Sequence, residues 1–314
     1  MGGSGGGGPF VSRSPQELAK LVRKAEDETA AAAFEVEVSN TLNDLLSEFN
    51  NRDVQLVGQR LDDIKLALED EIEGTIDQKF GGSVAKHTYV DGMSDVDSLV
   101  IINDTTLQND NPRRALERMS EILGKRFAGE ADVTHGRMAV TVQFRKDGMQ
   151  IQLLPAIRFT ENEIHVPSSR TDGWAQINPM TFQAALTKRN QECGGKLIPT
   201  LKLAKAINGN LPEPQRLSGY HIESLGIAAF RDYQGPKTTS SMLPAFFEKA
   251  KDLVLAPIRD RTGQSINVDD YLGPSNSDAR VNASHLLGRL AKRMWNASSS
   301  QSTAQWRALF GLDE

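Results

Sequence analysis

The segment from Gly81 to Ile102, with the sequence GGSVAKHTYVDGMSDVDSLVII, constrains the fold of this chain more than any other. Within it, Asp95 and Asp97 lead into an apolar run of strand length. Residues two apart on a strand project to the same side, so we expect the two carboxylates to lie together. Two anions held this close favour a cation between them, and Mg²⁺ or Mn²⁺ with nucleotide phosphates meets that need.

Gly82 and Ser83 supply the second half of this pattern. A tight glycine turn can bring backbone N–H groups and a hydroxyl against phosphate oxygens. An Asp-x-Asp pair by itself is common on protein surfaces. Combined with the glycine-serine turn and an apolar strand, it favours a site for a metal-bound nucleotide.

Composition limits the classes of partner. Hydrophobic residues make up 39% of the chain and charged residues 25%, as in ordinary globular proteins, and the net charge is −5. This balance argues against a broad basic surface for long nucleic acid. The single Cys193 excludes an internal disulfide and a cysteine-rich zinc site, and it fits a reducing cytoplasm. No apolar run has the length that a membrane span needs.

Helical patterns begin the ordered part of the chain. Residues 1–13, which start MGGSGGGG, are interpreted as a flexible linker or tag. The motif Ser14-Pro15-Gln16-Glu17 predicts the capped start of a long helix that ends near Asn50. A second helix is predicted from Val54 to Phe80, because apolar residues recur every three or four positions up to Gly81.

The middle of the chain is rich in strand patterns, and the rest is helical. Strands are predicted at 96–102, 138–144 and 149–157, the last two joined by a hairpin turn, with a helix from Asn111-Pro112 to about Phe127. Further helices are predicted at 180–191, 195–208, 218–233, 240–255 and 277–297, with a loop at 256–276. This order indicates an α+β fold. We divide it into N-terminal helices plus sheet lobe (14–177) and a C-terminal helical lobe (178–314).

The stretch from Gly82 to Asp97 resembles the signature of the polymerase-beta-like nucleotidyltransferase superfamily. Three further segments are similar to cGAS/DncV-like nucleotidyltransferases (CD-NTases), the oligonucleotide cyclases of CBASS antiphage defence: Gln152 to Ala156, Lys196 to Ile207 and Leu217 to Leu225. The resemblance implies a two-lobed core with a mixed sheet, N-terminal helices that brace both lobes, and a C-terminal helical lobe. The nucleotide is expected in the cleft between the lobes.

The resemblance also implies a function. It points to a cytoplasmic, template-independent enzyme that joins nucleoside triphosphates, ATP among them, into a cyclic di- or oligonucleotide messenger. Asp95 and Asp97 would hold Mg²⁺ or Mn²⁺. The residues implied in nucleotide binding are Gly82, Ser83, Lys202, Lys205 and Ser218. Regulatory or effector proteins of a defence operon are the implied partners, with no membrane and no long nucleic acid required.

Gln152 departs from the family pattern, which places a third aspartate three residues before a Pro-Ala pair. A glutamine carbonyl can ligate a cation, but it is neutral and cannot take a proton from an attacking hydroxyl. Three explanations remain open: an engineered inactivation, a naturally degenerate enzyme, or a branch that works with two aspartates. We therefore assign Asp95, Asp97 and Gln152 as the catalytic set, with reduced rate as the expected consequence.

Two other functions are compatible with the same sequence. One is a nucleotidyltransferase that modifies RNA or protein, for which a basic acceptor groove would be expected. The other is a catalytically impaired nucleotide-binding regulator of the same fold, which Gln152 would explain.

Overall fold

The long N-terminal helix begins at the predicted capping motif. In a computed structural model that describes residues 14–49, 54–72, 76–80, 96–102, 111–160, 163–168 and 171–312, the Ser14 amide donates to Glu17 Oε2 over 2.8 Å. The Glu17 amide donates back to Ser14 Oγ. This reciprocal pair satisfies two amides that the first helical turn leaves unpaired, and it confirms the sequence prediction.

Nine α-helices and one seven-stranded sheet form within the described residues. The helices are α1 (Pro15–Phe49), α2 (Val54–Glu69), α3 (Pro112–Arg126), α4 (Pro179–Glu192), α5 (Leu197–Gly209), α6 (Gly219–Ala229), α7 (Thr239–Leu253), α8 (Asp278–Ser299) and α9 (Thr303–Ala308). The strands are β1 (Ile76–Phe80), β2 (Val96–Ile102), β3 (Ala131–His135), β4 (Val140–Phe144), β5 (Gln150–Thr160), β6 (Glu163–Pro167) and β7 (Trp174–Ile177). The predicted α+β order of helices, mixed sheet and helices is confirmed.

The second predicted helix is shorter than expected. Helix α2 ends at Glu69, and Ile76–Phe80 forms strand β1, antiparallel to β2. The prediction of a helix up to Phe80 was wrong because a spacing of four between apolar residues fits one face of a helix and one face of a strand equally well. Pairing with β2 supplies the backbone hydrogen bonds that decide between the two.

The sheet is mixed and is centred on β5. Its order is β1-β2-β5-β4-β3, with β6 paired to the second half of β5 and β7 paired to β6. The β2–β5 pair is parallel, and the other pairs are antiparallel. The predicted β4–β5 hairpin is present, closed by the Phe144 amide donating to the Met149 carbonyl over 2.8 Å.

Pro155 lies inside this central strand without disrupting it. Pairing of β5 with β4 ends at Leu153, and pairing with β6 begins at Ile157. Proline has no N–H to donate, so it is normally excluded from central strands. Pro155 occupies the position where β5 changes partners, and the missing donor therefore costs little there.

The two N-terminal helices pack on different parts of the molecule. The buried side chains of α1 join the core of the C-terminal helices: Phe34, Val38, Leu42, Leu45 and Phe49. Those of α2 pack with α3 against one face of the sheet: Val57, Leu61, Ile64, Ala67 and Leu68. We predicted that both helices would brace both lobes, whereas the buried residues place each helix chiefly on one.

The C-terminal helices follow the predicted pattern closely. Helices α4 to α8 correspond to the five predicted segments, and the long connection between α7 and α8 was predicted as a loop. Three of these helices begin where local sequence signals favour a helix start, at Pro179, Ser218 and Ser277. In the described part of the chain, no helix is both long enough and apolar enough to cross a membrane.

Candidate functional site

Asp97 and Gln152 lie side by side in the sheet. The parallel register of β2 and β5 pairs Asp97 with Gln152, one residue on from the Val96–Ile151 pair. Neighbouring strands are about 4.8 Å apart, so paired positions on one face are close enough for their side chains to share a ligand. The register therefore places Gln152 directly beside Asp97 on the neighbouring strand.

A row of polar residues extends from this pair across two further strands. Thr141 of β4 pairs with Gln152, and Thr134 of β3 pairs with Thr141. Gln152 and Thr141 are half-buried, and Thr134 is exposed. Of the four described residues in this row, Asp97 is the one that carries a carboxylate.

The next row on the same face is also polar. It consists of Gln150, Gln143 and Asp132, paired in that order. In the opposite direction along β2 and β5 the face becomes apolar, with Leu99, Ile101 and Ala156 buried in a small cluster. The polar half thus forms one end of the sheet face, where a charged ligand could approach while the apolar half stays packed.

Three predicted residues lie outside the described part of the chain. These are Gly82, Ser83 and Asp95. Their roles in holding phosphate and metal stay predictions.

Lys205 is held in a buried ion pair. Its Nζ lies 2.8 Å from Glu223 Oε1, and the two side chains are only 6% and 1% exposed. Lys205 belongs to α5 and Glu223 to α6, so the pair joins these helices. A methyl group added at Gly219 would lie 3.5 Å from Lys205 Nζ, which shows that the ammonium lies against the first turn of α6.

Lys202 lies one turn before Lys205 on the same helix and is half-buried. Burial lowers the pKa of Lys202, and the nearby charge of Lys205 lowers it further. An anion bound beside Lys202 would favour its charged form and oppose both effects.

Ser218 caps helix α6 at the same place. Its Oγ accepts a hydrogen bond from the His221 amide over 3.2 Å. The N-terminus of a helix carries a partial positive charge that attracts anions. The structure therefore brings Lys205, its neighbour Lys202 and the Ser218 cap together at one cationic corner, while Asp97 and Gln152 form a second group on the sheet.

Sequence reasoning missed the polar network behind this corner. Tyr220 Oη donates to Asp260 Oδ1 over 2.7 Å. Burial, strengthened by the Asp260 carboxylate, raises the pKa of Tyr220 above its ordinary value. Burial by itself would raise the pKa of Asp260, but hydrogen bonds from Tyr220 and Thr262 outweigh it and lower that pKa.

His221 belongs to the same network. The histidine is fully buried, its Nε2 lies 3.3 Å from Asp269 Oδ2, and burial lowers its pKa to about 4. Asp269 also pairs with Arg280 over 2.7 Å, and both side chains are inaccessible to solvent. These partners are separated by long stretches of sequence, so no local pattern could have indicated them.

The comparisons with solved structures define the fold. The chain is similar to CdnC of E. coli MS115-1 (TM-score 0.62, 18% identity, covering 90% of this chain and 97% of that one). It is similar to the CD-NTase CdnG of Bradyrhizobium diazoefficiens (TM-score 0.64, 15% identity, covering 82% of this chain and 89% of that one). It is also similar to the di-nucleotide cyclase DncV of Vibrio cholerae (TM-score 0.63, 10% identity, covering 96% of this chain and 90% of that one). The fold is thus that of a polymerase-beta-like nucleotidyltransferase.

A family model matches the middle of the sequence. Residues 36–190 match the Second Messenger Oligonucleotide or Dinucleotide Synthetase domain, SMODS. The resemblance to CD-NTases is therefore confirmed. The match includes Asp97 and Gln152 but ends before Lys205 and Ser218. Among curated proteins, none matches this sequence significantly.

Proposed function

We propose that this protein is a template-independent nucleotidyltransferase that joins nucleoside triphosphates into a cyclic di- or oligonucleotide messenger. The observation that carries the proposal is the register of Asp97 and Gln152 on neighbouring strands of a SMODS domain. An acidic residue at this place in the fold suits the binding of a metal–triphosphate complex.

A divalent cation, Mg²⁺ or Mn²⁺, fits the donor atoms of this group. Hard cations prefer oxygen ligands, and carboxylates of Asp95 and Asp97 with the amide carbonyl of Gln152 would provide them. When bound, such an ion lowers the pKa of an attacking hydroxyl and neutralises charge on the phosphates. Gln152 can contribute an oxygen but no charge, so the set is one negative charge short of a three-carboxylate site.

The cationic corner is the proposed triphosphate site. Lys205 and Lys202 would supply positive charge, and the Ser218 cap would present the N-terminus of α6 to the phosphates. Gly82 and Ser83 are proposed to hold the same phosphates. With the phosphates held by these groups, the α-phosphorus can be oriented toward the attacking hydroxyl.

The solved relatives support nucleoside triphosphates as substrates. CdnC was solved with ATP, CdnG with GTP, and DncV with ATP and GTP. We propose ATP as one substrate of this chain, drawn from the cytoplasmic pool. CdnC was also solved in complex with a HORMA protein, which supports a regulatory protein partner in antiphage defence for this chain.

A second candidate function is a nucleotide-binding regulator without turnover. The observation that favours it is the neutral Gln152 at the register position opposite Asp97. Such a protein would bind a triphosphate through the same lysines but would not release pyrophosphate.

Incubation with α-³²P-labelled ATP, GTP, CTP and UTP, in Mg²⁺ or Mn²⁺, separates these functions. A cyclase gives a labelled product that resists phosphatase, and Asp97→Asn abolishes it. Binding without product supports the regulator. Label transferred to added RNA or to protein supports the modifying enzyme, and no binding of any triphosphate contradicts all three.

A further inference from the structure

The connection between α7 and α8 lies against the first turn of α6. Two residues of this connection reach the turn. Asp260 accepts a hydrogen bond from Tyr220 Oη, and Tyr271 Oη accepts one from the Ser218 amide over 3.1 Å. Tyr271 thus contacts the residue that caps α6, beside Lys205. From the sequence, this connection was predicted only as a loop.

The Tyr271 hydroxyl is the junction of these contacts. Besides accepting from Ser218, it shares a hydrogen bond of 2.9 Å with His221 Nδ1. The residue is 52% exposed, and its ring packs edge-on against the ring of His221. A half-exposed tyrosine that orders a helix cap on one side and a buried histidine on the other suits a positioning role.

Tyr271 is itself held in place by buried charges. Asp269, two residues earlier, pairs with Arg280 and accepts from the Ile258 amide over 3.0 Å. Arg280 also donates to the Gly273 carbonyl, two residues after Tyr271, over 2.9 Å. Both flanks of Tyr271 are thus fixed to Arg280 of α8, and Asp269 also lies against His221 of α6.

We propose that Tyr271 is a positioning residue for triphosphate binding, an inference that rests on the proposed function. Its hydroxyl holds the Ser218 amide, so the cap keeps one orientation and the N-terminus of α6 stays directed at the place where Lys205 Nζ lies. The hydroxyl is neutral, whereas a carboxylate in the same place would hold the amide and also repel the phosphates. The structure therefore fixes the cap without reducing the positive charge of the corner.

Tyr271→Phe tests the proposal because it keeps the ring and deletes the hydroxyl. Tyr233→Phe is the matched control, since the Tyr233 hydroxyl donates to the Pro236 carbonyl elsewhere in the helical lobe. Titration calorimetry with a non-hydrolysable ATP analogue and Mg²⁺, and with the GTP analogue, measures the affinity of each protein. We expect Tyr271→Phe to bind about three- to tenfold more weakly, because the cap loses its hydrogen bond from the Ser218 amide, and Tyr233→Phe to bind as the parent does.

Kinetics and amide exchange complete the test. For an active parent, Tyr271→Phe should raise KM by the same factor and leave kcat unchanged, and the amides of 218–222 should exchange faster than in the parent and in Tyr233→Phe. Equal affinity in parent and Tyr271→Phe would overturn the positioning role and leave the proposed function standing. An affinity loss matched by Tyr233→Phe would also overturn it. A parent that binds neither analogue would overturn the proposed function and this inference with it.

Discussion

Lys205 Nζ lies 2.8 Å from Glu223 Oε1, and the carboxylate is almost completely buried. A triphosphate that reaches Lys205 must therefore compete with a charge that the protein already provides. A buried carboxylate needs a partner, so Glu223 keeps Lys205 oriented toward α6 while no phosphate is present. The same carboxylate repels the phosphates once they arrive.

Glu223→Gln should tighten binding of the non-hydrolysable ATP analogue by up to about tenfold, because the amide still accepts from Lys205 but no longer repels phosphate. Calorimetry measures the change, and Lys205→Met should have the opposite effect. Glu248→Gln, which removes the carboxylate of an ion pair on the surface of α7, is the control and should leave affinity unchanged. Weaker binding by Glu223→Gln would instead show that the charge of Glu223 is needed to hold Lys205 in place.

Asp97→Asn should abolish product formation and metal-dependent binding of triphosphate while the protein stays folded, because it removes the charge but keeps the shape. Labelled triphosphates with Mg²⁺ or Mn²⁺ report activity, and thermal unfolding reports stability. Asp132→Asn is the matched control, since Asp132 lies two strands beyond Gln152 on the same sheet face and pairs with Arg145. Normal activity in Asp97→Asn would remove Asp97 from the site.

Gln152→Asp should raise turnover by about tenfold if the added carboxylate contributes ~1.4 kcal/mol to the transition state. The control is Gln150→Asp, which places the same charge on the same strand and face, one row away. Rates measured against Mg²⁺ concentration distinguish a tighter metal site from a faster reaction. If Gln152→Asp loses activity and Gln150→Asp does not, the reaction depends on the neutral amide of Gln152.

Stability should fall as the pH drops from about 6.5 toward 4. Burial lowers the pKa of His221 to about 4, whereas an unfolded chain restores its ordinary value near 6.5. Between these values the unfolded state binds the extra proton, so stability decreases by up to about 1.4 kcal/mol per pH unit and is fully regained above pH 6.5. The Asp269 carboxylate favours the protonated form of His221, and the Arg280 guanidinium disfavours it.

Urea unfolding at several pH values measures this dependence. His221→Gln should flatten the slope between pH 4 and 6.5, and His285→Gln, at an exposed position on α8, should leave it as in the parent. An identical slope in all three proteins would assign the acid sensitivity to other groups.

The sequence predicted the features that depend on neighbouring residues. The capping box at Ser14 and the Asn111 cap of α3 are set by three or four adjacent side chains, and both were found as predicted. Strand β2 was predicted from its apolar run, and β4 and β5 from β-rich stretches joined by a hairpin turn. Strand β1 was mistaken for helix, because only its pairing with β2 distinguishes the two.

The features that were missed depend on contacts that no local sequence pattern indicates. Strands β3, β6 and β7 are short and partly polar, and pairing with their neighbours in the sheet defines them. Lys205 and Glu223 are 18 residues apart, and Ser218 and Tyr271 are 53 apart. A sequence motif can indicate a lysine near phosphate, but it carries no information about the carboxylate or hydroxyl that the fold places beside it.

Helix α1 has two halves that should respond differently to heat. From Pro15 to Ala33 it has no fully buried side chain, and packing begins at Phe34. The first half is stabilised by its alanines and its cap, so it should shorten gradually from its free end as temperature rises. The second half should melt in one step with the body of the protein. Circular dichroism at 222 nm would then show a sloping decline before the cooperative transition, and trypsin would cut at Lys24 well before the packed half of the helix becomes accessible.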